Sequence, residues 1–185
     1  DYTKMKGTFL MLSYIYEDLK EACQNLPVSL AAGCGAAVLA LFFQRLRRRR
    51  LPLVPIFLWA AYLEQLLWLV YLNRAPGSRR SLDLGLFDTI SRSAQGNSYV
   101  AENVLLFLPF GFLFPLLFRF RGQRRFRFPA CLFSALLCSA GIETVQYLTS
   151  RGYSQLDDII TNVAGAALGY AIFYTAHRAA GGRRR

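Results

Sequence analysis

The sequence predicts an all-α polytopic transmembrane bundle of about five spanning helices preceded by an amphipathic helix, and three observations predict it. Of 185 residues, 54% are hydrophobic and only 18% charged. The charges are gathered into clusters that leave stretches such as Ala22 to Gln44, 23 residues, without any. Polar groups then recur inside the apolar stretches on single helical faces, which no alternating strand pattern would produce.

Five apolar stretches follow one another: Leu26 to Gln44, Leu51 to Leu72, Asn103 to Phe118, Phe128 to Leu148 and Ile159 to Ala176. Counting interfacial ends, each approaches the roughly 20 residues a helix needs to cross about 30 Å of hydrocarbon. Helices are the open option because lipid offers no hydrogen-bond partner to the backbone. Before them, Phe9, Leu12, Tyr16, Leu19, Cys23 and Leu26 recur at helical spacing among Glu17, Asp18, Lys20 and Glu21. That pattern predicts an amphipathic helix lying on the outer interface, since Phe9 to Tyr16 is too short to span. With Met at position 5, the first four residues are expected to be a cloning remnant, and no cleavable signal peptide is evident. The chain therefore divides into an outer-interface segment at 1–25, a membrane domain at 26–176 and a basic cytoplasmic tail at 177–185.

The connections predict orientation. Arg45 to Arg50, Arg119 to Arg127, and Arg178 with Arg183 to Arg185 fall on one side and hold fourteen of the 22 cations; the other side holds eight. The positive-inside rule makes the first group cytoplasmic in a bacterial plasma membrane, with the N-terminus and the remaining loops extracytoplasmic. All eleven acidic residues then lie outside or within spans. The long connection Asn73 to Ala101, with Pro76-Gly77-Ser78, Gly85 and Gln95-Gly96-Asn97-Ser98, reads as a partly ordered outer loop. Leu82, Leu84, Leu86, Phe87 and Ile90 should fold it back on the bundle or the lipid surface.

Ionisable groups in a span mark either an interhelical bond or a functional pathway. Glu64 and Gln65 lie in the second span, Glu102 and Asn103 open the third, Glu143 and Gln146 lie in the fourth, and Asp157, Asp158 and Asn162 open the fifth. The predicted orientation puts all of them in the outer half. Ser139, Glu143 and Gln146 share one face of the fourth helix, and Asp158, Asn162, Gly165 and Gly169 one face of the fifth. Gly165 and Gly169 form a small-xxx-small pattern for close helix packing. The arrangement predicts a bundle with a polar cavity opening outward. The structural alternative is a network that only fixes the bundle, and Asp157 and Asp158 are also favoured at a helix N-terminus without any function. Against it, several carboxylates gathered near one surface repel, and call for Arg151, a divalent cation, a cationic ligand or protons.

Other chemistries find little support. The one histidine, His177, sits in the tail, so no zinc site or triad is legible. Cys34, Cys131 and Cys138 fall in spans, Cys23 near the outer interface, and no CxxC occurs. The net charge of +11 comes from 19 arginines and three lysines, most of the arginines beside apolar segments. That placement suits membrane orientation rather than nucleic acid. No cofactor is evident.

Two stretches resemble the VanZ-like family of bacterial membrane proteins. Glu102-Asn103-Val104-Leu105-Leu106-Phe107-Leu108-Pro109-Phe110-Gly111-Phe112 is similar to its Asn-x-Leu-Leu-Phe-x-Pro-x-Gly signature. Ile142-Glu143-Thr144-Val145-Gln146, Arg151, Asp157-Asp158, Asn162, Gly165 and Gly169 are similar to its Glu-x-x-Gln, Arg, Asp-Asp, Asn-x-x-Gly series. The match covers 74–170 and departs at Leu86-Phe87-Asp88-Thr89-Ile90, where the family often has Pro-Phe. The resemblance implies an envelope protein connected with resistance to the lipoglycopeptide teicoplanin, without a defined reaction.

The candidate ligand-binding residues are Glu102, Asn103, Glu143, Gln146, Arg151, Asp157, Asp158 and Asn162, with Glu64 in support and Gly165 and Gly169 for packing. The leading expectation is binding of a lipid-linked envelope precursor, a lipoglycopeptide or another amphipathic molecule, in contact with membrane lipids. An intramembrane enzyme with Glu143 or Asp158 as acid or base, or a metal held by the others, is the second. A proton-coupled transporter using Glu64 is the third.

Overall fold

The computed structural model describes residues 2–48, 50–75, 77, 79–83, 85, 94–117 and 124–182. Among these residues there are six α-helices, and the five expected spans are present as Leu26–Arg47, Leu53–Leu72, Gly96–Leu117, Arg127–Thr149 and Leu156–Ala180. The stretch 84–93 apart from Gly85, with the expected fold-back of Leu84, Leu86, Phe87 and Ile90 and the departure at 86–90, lies outside the described residues. So do Arg119 and Arg121 and the tail arginines Arg183 to Arg185.

Helix α1 (Tyr2–Gln24) and helix α2 (Leu26–Arg47) are separated by one turn residue, Asn25. The break is local chemistry: Pro27 in the first turn of α2 has no N–H to continue the ladder. The Asn25 carbonyl accepts from the Val28 and Ser29 amides and restarts the helix. Helix α1 packs on helix α4 (Ala94–Leu117). It leaves the predicted apolar stripe Phe9, Leu12, Tyr16 and Leu19 uncovered, as an interfacial helix would.

Helix α3 (Leu53–Leu67) widens into a π-helical turn at Trp68–Leu72. Helix α5 (Arg124–Thr149) stops at Ser150, whose φ of 52° is left-handed. Helix α6 (Leu156–Gly182) carries the helix through residues expected to form the start of a separate tail. Two five-residue strands join the helices at one end. Strand β1 (Arg79–Asp83) and strand β2 (Arg151–Gln155) pair in parallel, with Arg79 opposite Arg151 and Asp83 opposite Gln155. This ladder adds a small ordered piece to a bundle whose helical class is as expected, and it ties part of the long connection to the α5–α6 turn. The segment Gln95-Gly96-Asn97-Ser98, expected as loop, instead opens α4. Ser98 is fully buried, and the docking of α1 on α4 overrides the local turn preference.

Helix α4 is central, touching α1, α3, α5 and α6. Its closest approach is to α6. A Cβ on Gly165 would overlap the Val104 carbonyl, one on Gly169 the Leu108 carbonyl, and one on Gly111 of α4 the Ala166 carbonyl. Three glycines therefore let the two backbones meet without intervening side chains, the packing that replaces hydrophobic association in lipid. On the adjoining face of α4, Phe107, Phe110 and Phe114 stack in a row and Trp59 meets Phe110 edge to face. Trp59 Nε1 donates to the Leu113 carbonyl and the Tyr62 hydroxyl to the Leu106 carbonyl, both at 3.1 Å. The outside of the bundle is apolar: Val38, Leu39, Phe42, Val54, Phe133 and Leu137 are all exposed. A belt of that kind suits contact with lipid rather than water.

Candidate functional site

The polar groups expected in one half of the bundle meet at the end that carries the β1–β2 ladder. Their frame is the π-turn at the end of α3. The helix end leaves carbonyl acceptors that the helical ladder does not use in full, and two side chains from the α5–β2 region bond to them, the one at Tyr71 beside the Arg74 amide. Gln146 Nε2 donates to the Val70 carbonyl at 2.7 Å, and Arg151 Nη1 to the Tyr71 carbonyl at 3.0 Å. The Arg151 guanidinium also lies over the Tyr71 ring, 4.2 Å from its centroid.

Above this frame a cavity of about 410 Å³ opens between α1, α3, α4, α5 and α6. Six of the expected residues line it: Glu102, Asn103, Glu143, Gln146, Asp158 and Asn162. Asn103 Nδ2 donates to Asp158 Oδ1 at 2.7 Å, linking α4 to α6. Glu143, buried on α5, accepts from the Gln155 amide at 3.0 Å and so pins the end of β2. Asn162, buried at 3% exposure, donates to Ser139 Oγ at 2.9 Å, while its own Oδ1 has no partner. Glu102 Oε1 is likewise buried and unpartnered. Leu66, Leu69, Leu105, Leu106 and Ile142 supply apolar wall between these groups. The cavity therefore offers hydrogen-bond acceptors next to hydrocarbon.

The other expected residues stand elsewhere. Arg151 is not among the lining residues, because its guanidinium is engaged with Tyr71. Asp157 is buried in the first turn of α6, also off the lining. Glu64 faces the α1–α2 break: Asn25 Nδ2 donates to its Oε2 at 3.0 Å, and Ser29 Oγ donates to the same oxygen. Its neighbour Gln65 does line the cavity, and donates to the Ala22 carbonyl at 2.9 Å. His177 stacks on Phe173 near the end of α6, far along the helix from these groups.

Several lining residues were not singled out from the sequence. Asp18 and Glu21 come from α1, whose amphipathic pattern shows a surface helix but not which neighbour it covers. Asn73 donates to Glu21 Oε1 at 3.0 Å and holds the end of α1 to the end of the second span. Arg74 reads in the sequence as a loop cation, yet it lines the cavity beside Asp158. A Cβ on Gly152 would stand 2.7 Å from Arg74 Nη1, so the glycine in β2 leaves room for the guanidinium. The one legible signal was its position as the first charge after the second span. Among the described residues, no three His, Cys, Asp or Glu side chains converge as a metal-binding group.

A family model described as VanZ/LLP1 matches residues 38–177, a wider stretch than the 74–170 that carry the motifs. Protein VanZ of Enterococcus faecium is 32% identical over 125 residues, which cover 63% of this chain and 71% of that protein. No solved structure matches.

Proposed function

Because the chain belongs to the VanZ/LLP1 family of multi-pass membrane proteins, we propose that it lowers susceptibility to lipoglycopeptide antibiotics such as teicoplanin by binding or altering an amphipathic or lipid-linked envelope molecule at the outer membrane face. The observation that carries this reading is the cavity itself. Residues from four separate spans bring carboxylates and amides against leucine and isoleucine walls within one space of about 410 Å³. A volume of that order suits the head and first carbons of an amphiphile, a molecule with one polar and one apolar end. The positive-inside asymmetry supports placing this end outside the cell.

Binding is favoured over acid–base turnover by the state of the two candidate carboxylates. Glu143 is committed to the Gln155 amide and Asp158 to the Asn103 amide, so each works as an acceptor that shapes the wall. The test is the inhibitory concentration of teicoplanin for a susceptible bacterium expressing the chain. The parent chain should raise it. Asp158→Asn and Glu143→Gln, matched for membrane level by immunoblot, should return it to that of the host. Full protection by both variants would remove the cavity from the explanation.

A further inference from the structure

We infer that the ligand of this cavity carries a primary ammonium group on a phosphate-bearing amphiphile, a deepening that rests on the binding role proposed above. Among the described residues, the lining is rich in acceptors and poor in cations: Asp18, Glu21, Glu102, Glu143 and Asp158 face one Arg74. Acidity alone would show little, since Asp158 and Glu143 already have amide donors. The two orphaned oxygens are more telling. Asn162 is 97% buried yet its Oδ1 receives no hydrogen bond, and on the half-buried Glu102 one carboxyl oxygen, Oε1, is enclosed without a donor. A buried acceptor without a donor is costly, and one that lines a cavity is relieved by a donor arriving in it.

The surroundings of Glu102 narrow the donor. Its carboxyl meets Asp18 of α1 within side-chain hydrogen-bond reach, with Ser98 also beside it. Two carboxyl groups at that range share a proton when the cavity is empty, and a cation that brings N–H bonds to both can take that proton's place. A primary ammonium has one charge and three donors, enough to serve the Asp18 and Glu102 carboxyls and one further acceptor of the lining. A quaternary ammonium brings the same charge and no donor. Arg74, next to Asp158, then offers a counter-charge to a phosphate, and the leucines of α3 and α4 take the first acyl carbons.

The experiment presents the purified full chain in detergent with equimolar phosphatidylethanolamine, phosphatidylcholine and phosphatidylglycerol of matched acyl chains, and reads retained lipid by native mass spectrometry. Phosphatidylethanolamine should be retained about tenfold over the other two, the scale of one charge-assisted hydrogen bond. Glu102→Gln should erase that preference, and Asp18→Asn on the peripheral α1 should do the same without touching the bundle core. Cys34→Ala, on an exposed position of α2, should leave it intact. Equal retention of phosphatidylethanolamine and phosphatidylcholine overturns the inference. A preference for phosphatidylglycerol that depends on Arg74 overturns it too, while leaving the proposed binding role standing. Indifference to lipid identity and to every cavity substitution defeats both.

Discussion

Gln146 and Val70 lie 76 positions apart in the chain and are joined by a 2.7 Å hydrogen bond from the buried Gln146 amide to the Val70 carbonyl. The bond ties α5 to the π-turn that ends the second span, and it holds together two walls of the cavity. A helix end left without partners in a membrane would be expensive, so this side chain serves the fold and the site at once.

Replacing Gln146 by Leu keeps the volume and removes the donor. The expected cost is about 1–2 kcal/mol, the penalty for leaving a buried carbonyl short of a partner. Thermal unfolding of the purified variant in detergent should therefore show a lowered Tm. Gln146→Glu should be worse, since it brings a further carboxylate to a site already crowded with them. An unchanged Tm for Gln146→Leu would show that water or another donor serves Val70 equally well.

The α4–α6 contact makes a contrast between glycines. Gly165→Ala puts a methyl where the Val104 carbonyl already is, and Gly169→Ala does the same at Leu108. Each should lose about 1–3 kcal/mol, the range for overpacking. Gly35 and Gly141 have nothing within 4 Å of an added Cβ. Alanine there should be neutral or stabilising by up to about 1 kcal/mol through helix propensity. The four variants in one Tm series test the packing directly, because the same chemical change is predicted to have opposite signs.

Glu64 joins α2 to α3 rather than facing the cavity. Glu64→Leu should take the carboxylate acceptor from Asn25 and Ser29, leaving Gln65 Oε1 to serve both, and cost about 1–2 kcal/mol in stability. At matched membrane level it should leave the change in teicoplanin susceptibility in place. Loss of protection at normal abundance would bring back a proton-relay role for this carboxyl, which the transporter reading requires.

Orientation can be read with single cysteines in a background where Cys23, Cys34, Cys131 and Cys138 are replaced. Asn97→Cys, exposed in the first turn of α4, should react with an impermeant maleimide on intact cells. Arg50→Cys, exposed beside the other end of the bundle, should react only after lysis. The reverse pattern would place the cavity at the cytoplasmic face and overturn the envelope reading.

The five spans were legible because helix length in lipid is a local property: uncharged runs of sufficient length have few other fates, and all five were found. The α6 glycine pattern was legible for a similar reason, since two small residues four apart make a groove whatever enters it. The polar faces of α5 and α6 could also be drawn from periodicity. Their partners could not, because period gives a face but not the rotation or neighbour of the helix that carries it.

What the amino-acid order settled without help is therefore the number of spans and which of their faces are polar. The tertiary structure alone decided that Arg151 serves Tyr71 while Arg74 enters the cavity, that Glu64 closes the α1–α2 break, and that β1 pairs with β2 across 72 positions. It also decided that, among the described residues, one buried oxygen on Glu102 and one on Asn162 are left without donors. Each of these turns on distances of a few ångströms between segments remote in sequence, and hydrogen bonding fades within that range. A one-dimensional pattern carries the preference of each segment, and only the packed bundle determines which preferences meet.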